Sequence, residues 1–207
     1  MRGSVSFEVN TPLRNSFMFG PWTLEKVSDA FDLSCVDCGD ADLNEYFQKD
    51  SADYRKELMT QTYVFHETGS DVLMATVDFC NDALPKEVMP NASRRQIPFV
   101  KRGFKTFPAV KITRLGVRKE FHGKHIGSAL IATVKRFFLE DNRTGCRFVT
   151  VDAYRAAASF YERNGFVRTK GEEDADAPTI PLFFDLLRLE VESKIPASGQ
   201  AACVAAA

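Results

Sequence analysis

No apolar run in the chain approaches the roughly 18 to 20 residues that a bilayer-crossing helix needs. The N-terminus also lacks a charged region followed by an apolar stretch, so neither a membrane span nor a secretory leader is expected, and the protein reads as cytoplasmic. Cysteine is scarce: Cys35, Cys38, Cys80, Cys146 and Cys203 are an odd number scattered over 207 residues, which does not fit a disulfide framework. Cys35-Val-Asp-Cys38 is a lone CxxC, and a structural zinc takes about four nitrogen or sulfur ligands. With no second pair to complete such a set, no metal is expected and the thiols read as partly buried apolar side chains. An excess of either charge is lacking as well. A net charge of -1 excludes a uniformly basic nucleic-acid coat and leaves room only for a local patch.

What is present can fold. A hydrophobic content of 44% with 12% aromatics suffices to bury a core and argues against disorder. The pattern divides into a flexible N-terminal segment over 1–16, a single domain over 17–191 and a disordered Ala-rich tail over 192–207. Phe17, Phe19, Trp22 and Leu24 flank a Gly-Pro and read as an edge strand interrupted by the proline. From Asp40 as N-cap, Leu43, Phe47, Tyr54 and Leu58 fall on one helical face. Thr62–His66 and Val72–Phe79 form a hairpin by their β-branched and aromatic content.

Residues 81–107 carry neither period and include Pro85, Pro90, Pro98 and Gly103, so they read as a long excursion with one helical turn. Lys86, Arg94, Arg95, Lys101, Arg102 and Lys105 face only Asp82 and Glu87 there, with Phe99, Phe104 and Phe107 interspersed. A solvated loop and a surface for an anionic partner both fit this composition.

Pro108–Val117 then alternates as a strand and leads into a polar turn with Gly123 and Gly127. Ile126, Leu130, Val134 and Phe137 mark one face of a helix from about Lys124 to Glu140. The start of such a helix offers unpaired N–H groups and the positive end of its dipole, a ready anion site. Cys146–Ala153 is another strand, Ala156–Asn164 a helix with Gly165 as C-cap, and Phe166 resumes a strand. This alternation implies parallel neighbours joined by right-handed crossovers. Leu182–Leu189 is the final strand, after the acidic turn Glu172–Asp176.

The order of these elements, with Leu115–Leu130 and Val151–Phe166, resembles the GNAT superfamily of N-acetyltransferases. The resemblance spans about Phe19 to Leu189 and implies an α/β fold with a mixed, splayed central β-sheet flanked by helices. It implies acetyl-CoA as co-substrate, wedged between two splayed strands, with a bulge at Leu115, Gly116 and Val117. The family's pyrophosphate loop, Arg/Gln-x-x-Gly-x-Gly/Ala, is matched by His122-Gly-Lys-His-Ile-Gly127, with His122 and His125 as departures. Backbone donors tolerate both if His125 keeps helical φ/ψ. The cofactor-binding set so implied is Leu115, Gly116, Val117, His122, Gly123, Lys124, His125, Ile126, Gly127 and Ser128.

Ala157-Ala-Ser-Phe-Tyr-Glu-Arg-Asn-Gly-Phe166 is close to the family's A-x-x-F-Y-E-x-x-G-F. It implies Tyr161 as the catalytic acid that protonates the departing thiolate, which suits a phenol near pKa 10 and a thiol near about 8.5. The family's Asn seven residues earlier, which bonds the pantetheine, is Tyr154 here. Asp37-Cys-Gly-Asp-Ala-Asp-Leu-Asn-Glu-Tyr-Phe47 is similar to a segment of the GNAT branch that includes toxins acetylating aminoacyl-tRNA.

The function expected is therefore transfer of acetyl from acetyl-CoA to a primary amine of a small molecule, peptide or protein. A toxin-like acetyltransferase holding tRNA through the basic 86–105 segment is an alternative, as is a non-catalytic acyl-CoA sensor. The acceptor is not specified, and a monomer and a homodimer are equally compatible. Asp78, Asp82 and Glu67 are candidate general bases by position.

Overall fold

The structure is a computed structural model that describes residues 16–28, 30–97, 104–140, 142, 144–171 and 176–189. The segments expected to be flexible, 1–16 save Ser16 and the tail 192–207, lie outside these residues, as do Phe99, Lys101 and Arg102 of the basic stretch and Glu172–Ala175 of the acidic turn.

Eight strands form one sheet: β1 (Ser16–Phe19), β2 (Trp22–Lys26), β3 (Gln61–Glu67), β4 (Ala75–Pro85), β5 (Thr106–Val117), β6 (Phe148–Tyr154), β7 (Val167–Arg168) and β8 (Thr179–Asp185). Their order is β1-β2-β3-β4-β5-β6-β8-β7. Gly20 and Pro21 make the turn of a β1–β2 hairpin, so the expected interrupted edge strand is two antiparallel strands. β5 and β6 are parallel, joined through α4 (Ile126–Glu140). The second crossover, through α5 (Arg155–Arg163), does not place β7 beside β6 as the alternation suggests. β8 returns antiparallel between them and pairs with both, because a two-residue β7 offers too short an edge to compete for β6.

β4 runs on to Pro85 and β5 starts at Thr106, so the excursion shrinks to 86–105, closed by Lys86 N–H to the Lys105 carbonyl at 2.8 Å. It contains α3 (Asn91–Arg95). Its Met89 and Ile97 pack with Leu84 of β4, Phe107 of β5, Phe148 and Phe183, while Phe104 is exposed. The expected final strand ends early, at Asp185.

The Asp40 helix begins as expected, with the Asp40 carboxylate accepting the Leu43 N–H at 3.0 Å. α1 (Ala41–Glu45) then passes through a π turn, Tyr46–Asp50, into α2 (Ser51–Lys56). One extra residue in the turn rotates everything after it by about 100°. Tyr46, Phe47, Ser51 and Arg55 are buried in consequence, while Tyr54 and Leu58 of the expected apolar face are exposed, Leu58 at 84%. This helical arm covers one face of the sheet, where Tyr46 Oη donates to Asp78 on β4 at 2.6 Å. α4 and α5 cover the other, where Ile126, Leu130, Val134, Phe137 and Tyr161 share a core with Val110, Ile112, Val149, Val151 and Ala153.

Candidate active site

The site forms where β5 and β6 part. Their register runs from Ala109–Phe148 to Ile112–Val151 and stops there. The next residue, Thr113, is the bulge: Phe79 faces Ile112 and Asp78 faces Arg114, leaving Thr113 without a register partner on β4, though its hydroxyl donates to the Asp78 carbonyl at 3.3 Å. The resemblance implies a bulge at Leu115, Gly116 and Val117, and the register corrects it to Thr113. A bulge shifts the alternation by one residue. Ile112 therefore points into the α4 core, while Arg114 points to the opposite face, its guanidinium 4.9 Å from the Tyr46 ring centre.

Beyond the bulge the main chain of β5 has partners on one side. Arg118 N–H donates to the Met74 carbonyl at 2.9 Å, and by antiparallel alternation Gly116 and Arg114 also direct their main-chain groups at β4. Leu115 and Val117 direct theirs into the gap left by β6. Such groups need partners, and the amides of an extended ligand would supply them.

A cleft of about 570 Å³ occupies the gap. Leu115, Val151, Ala153, Ala157 and Tyr161 line it on the α4–α5 side, and Leu43, Cys80, Lys111, Arg114, Asp152 and Tyr154 also line it. Lys111, Asp152 and Tyr154 alternate with the core residues Ile112, Val151 and Ala153, so they belong to the opposite face. The cleft thus passes through the sheet, open to a ligand from each face.

The expected cofactor residues divide by role. His122 Nε2 lies 2.8 Å from the Val117 carbonyl, and Gly123 takes φ +74 with open space where a Cβ would stand. Lys124 and His125 are exposed. His125 does not take helical φ/ψ: its φ is +59, the left-handed region where the family pattern places glycine. Its carbonyl accepts the Ala129 N–H at 3.0 Å, so the N–H groups of Ile126, Gly127 and Ser128 precede the first bond of α4 and stand free for an anion. Ile126 offers only that N–H, because its side chain is core. Gly127 has a packing role: a Cβ there would meet Phe160 at 3.2 Å. Gly116 likewise admits Cys38 and Phe47 over β5. The gap, the open turn and the helix start fit an extended cofactor with a phosphate end.

Tyr161 is 6% exposed and packs edge-on against Phe160 and Phe166. Burial pushes its phenol above the usual value, which keeps it protonated at neutral pH. Tyr154, at the family's Asn position, instead donates to Asp42 at 2.8 Å across the cleft mouth.

None of the bases expected by position lines the cleft. Asp78 is fully buried beneath Tyr46 and Thr60, Asp82 accepts from Thr150, and Glu67 sits at the far end of β3 opposite Trp22. Asp152, Lys111 and Arg114 do line it. The alternation Val151-Asp-Ala-Tyr154 carried the signal for Asp152, since the apolar members must face the core. Lys111 is bonded to Asp152; burial works against its charge, but the hydrogen bond and charge of Asp152 prevail and raise its pKa. Among the described residues no group of His, Cys, Asp and Glu has the arrangement of a metal site, and no helix is long and apolar enough to cross a membrane.

The chain matches the family described as acetyltransferase (GNAT) domain over residues 89–168. A search of curated proteins finds no match. Solved structures do match the fold. A point mutant of KacT is 22% identical with a TM-score of 0.67, covering 83% of this chain and 99% of its own. AtaT complexed with acetyl-methionyl-tRNAfMet is 20% identical with a TM-score of 0.69, at 83% and 99% coverage. A mutant AtaT toxin bound to the C-terminus of the antitoxin AtaR and acetyl-CoA is 19% identical with a TM-score of 0.63, at 84% and 99%. The splayed β5 and β6, the Gly-containing turn before α4 and the helix that carries Tyr161 all fall within residues 89–168, the stretch that matches an acetyltransferase (GNAT) domain.

Proposed function

We propose that the protein transfers acetyl from acetyl-CoA directly to a primary amine. The reading rests on one observation above the others: a single cleft runs through the sheet, with Tyr161 on one side and open, charged walls on the other. Leu115 and Val117 hold the pantetheine arm by main-chain bonds, and the turn 122–128 holds the pyrophosphate. The N–H of Leu115, the neighbour of Val117 that lines the cleft together with Tyr161, polarises the acetyl carbonyl, a role such donors fill well. Tyr161 supplies the proton that the departing sulfur takes.

Aminoacyl-tRNA is the second acceptor to consider, because one structural neighbour is AtaT complexed with acetyl-methionyl-tRNAfMet. Of the described basic residues of this segment, Arg94 and Arg95 end α3 and Lys86 pairs through its backbone with Lys105 just before β5, and the bulge at Thr113 is seven residues beyond the start of that strand. That is roughly 20–25 Å of extended strand, so an RNA would have to lie along the face with only its end in the cleft. A non-catalytic acyl-CoA sensor is the third reading, and the protonated Tyr161 beside the gap speaks for turnover instead.

The test is CoA release with purified protein and a panel of amines, run beside expression in growing cells. Direct transfer predicts release with a free amine, lost in Tyr161→Phe by about 10²-fold or more while acetyl-CoA affinity by calorimetry stays. Growth arrest relieved by Tyr161→Phe and by charge reversal at Arg94 and Arg95 would assign the RNA substrate. Acetyl-CoA binding without transfer to any amine would assign the sensor.

A further inference from the structure

We propose that Asp152 receives the acceptor: its carboxylate binds the substrate ammonium and takes the proton that must leave before nitrogen can attack. This rests on the direct-transfer reading above. Asp152 is the first residue of β6 past the end of pairing with β5, half-exposed with a side-chain accessibility of 46%, and it lines the same cleft as Tyr161. It stands on the face away from α4 and α5, where an acceptor can approach without crossing the cofactor's path.

The resident partner of Asp152 is itself a primary ammonium, that of Lys111. The carboxylate is thus already posed for the functional group of an amine substrate, at the wall of the gap. The titratable and charged groups around it are Lys111 and Arg114 from β5, Cys80 and Asp82 from β4, Tyr154 on its own strand, Asp42 from α1 and Tyr161 from α5; the adjoining β8 contributes Thr179 and Pro181, which carry no charge. Among the described residues that line the cleft, Lys111 and Arg114 are cationic and Asp152 is the carboxylate, so Asp152 is the lining group that can receive an ammonium.

The proton balance closes. Asp152 takes one proton from R–NH3+, and the freed nitrogen bonds to the acetyl carbon. The carbon–sulfur bond breaks, the sulfur takes the proton of Tyr161, and Tyr161 regains one from the new amide nitrogen. Asp152 then releases its proton to solvent, so each turnover yields amide, CoA thiol and one proton.

The experiment measures the pH profile of kcat/KM for wild type, Asp152→Asn and Asp152→Glu with a lysine-like amine, beside acetyl-CoA affinity by calorimetry. Asp152→Asn is expected to lose about 10²-fold near neutrality and to recover steadily toward the acceptor's own pKa of about 10.4, where the amine deprotonates unaided. Asp152→Glu is expected to retain part of the rate, and acetyl-CoA affinity to stay constant in all three. A wild-type profile in Asp152→Asn, or a loss of rate that tracks a loss of acetyl-CoA affinity, would overturn the assignment while leaving direct transfer intact. A wild type that acetylates no amine would instead remove the reading beneath it.

Discussion

His122 turns back on its own strand, its Nε2 lying 2.8 Å from the carbonyl oxygen of Val117. A carbonyl only accepts, so Nε2 carries the proton. The ring thereby satisfies the one Val117 acceptor that points into the gap and leaves the N–H for a ligand. At a position where the family pattern has Arg or Gln, the side chain braces the turn against β5. Replacing it by alanine removes one hydrogen bond of about 1 kcal/mol, so His122→Ala should lower Tm by roughly 2–4 °C. His122→Gln, which keeps a donor, should recover much of this, and scanning calorimetry of the three proteins decides it.

The resemblance of His122–Gly127 and Ala157–Phe166 to their motifs was legible because both are local patterns: a turn before an amphipathic helix, and a helix with its glycine cap. The second supplies Ala157 and Tyr161 to the cleft wall, and the first forms the turn before α4. The bulge at Thr113 was not legible, since it is defined by which β4 residue faces Ile112 and which faces Arg114, and cross-strand register leaves no mark in either strand alone. The π turn at Tyr46–Asp50 escaped for a related reason. Leu43, Phe47, Tyr54 and Leu58 do satisfy a helical period, but Tyr46 is drawn inward by buried Asp78, a contact between residues far apart in sequence. The outward face of Asp152 follows from period two, but the gap beside it is set by where β6 stops pairing with β5, which neither strand shows alone.

His125 holds φ +59 without being glycine. The left-handed conformation costs an L-residue about 1–2 kcal/mol, offset in part by the greater chain entropy that glycine loses on folding. His125→Gly should therefore stabilise the protein by up to about 1 kcal/mol, raising Tm by roughly 2–4 °C. The turn already has the backbone shape that glycine would take, so acetyl-CoA affinity should change by less than about twofold. Calorimetry in the presence and absence of acetyl-CoA separates the two effects.

Gly116 lies under Cys38, and an added Cβ would run into the Cys38 sulfur and approach Phe47 at 3.1 Å. Gly116→Ala should destabilise by about 1–3 kcal/mol as an overpacked site. The strain comes from one identifiable atom, which makes the prediction specific. Gly116→Ala combined with Cys38→Ala should be more stable than the sum of the two single changes, with a coupling of at least about 0.5 kcal/mol. Urea denaturation of the four proteins measures that coupling, and strict additivity would place the strain at Phe47 instead.

Asp37 ties the segment before α1 to the turn that follows β5. Its carboxylate pairs with Lys119 at 2.5 Å and accepts from Gly39 N–H and Asn44 Nδ2, each at 3.0 Å, while its carbonyl accepts Lys119 N–H at 2.9 Å. The Lys119 bond first, then those of Gly39 and Asn44, hold the Asp37 carboxyl down at about 2. An unfolded aspartate titrates near about 3.9, so the folded state binds the proton less tightly and the ionised group favours folding. That contribution is complete above about pH 4 and fades as pH falls toward about 2. Asp37→Asn should melt below wild type at neutral pH, and the gap should close on acidification through that window. Added salt should narrow the gap at neutral pH, since the pair is open to solvent. Melting curves at several pH values provide the check, and a gap that stays constant down to about pH 2 would assign the loss to the uncharged hydrogen bonds rather than to the ionised carboxylate.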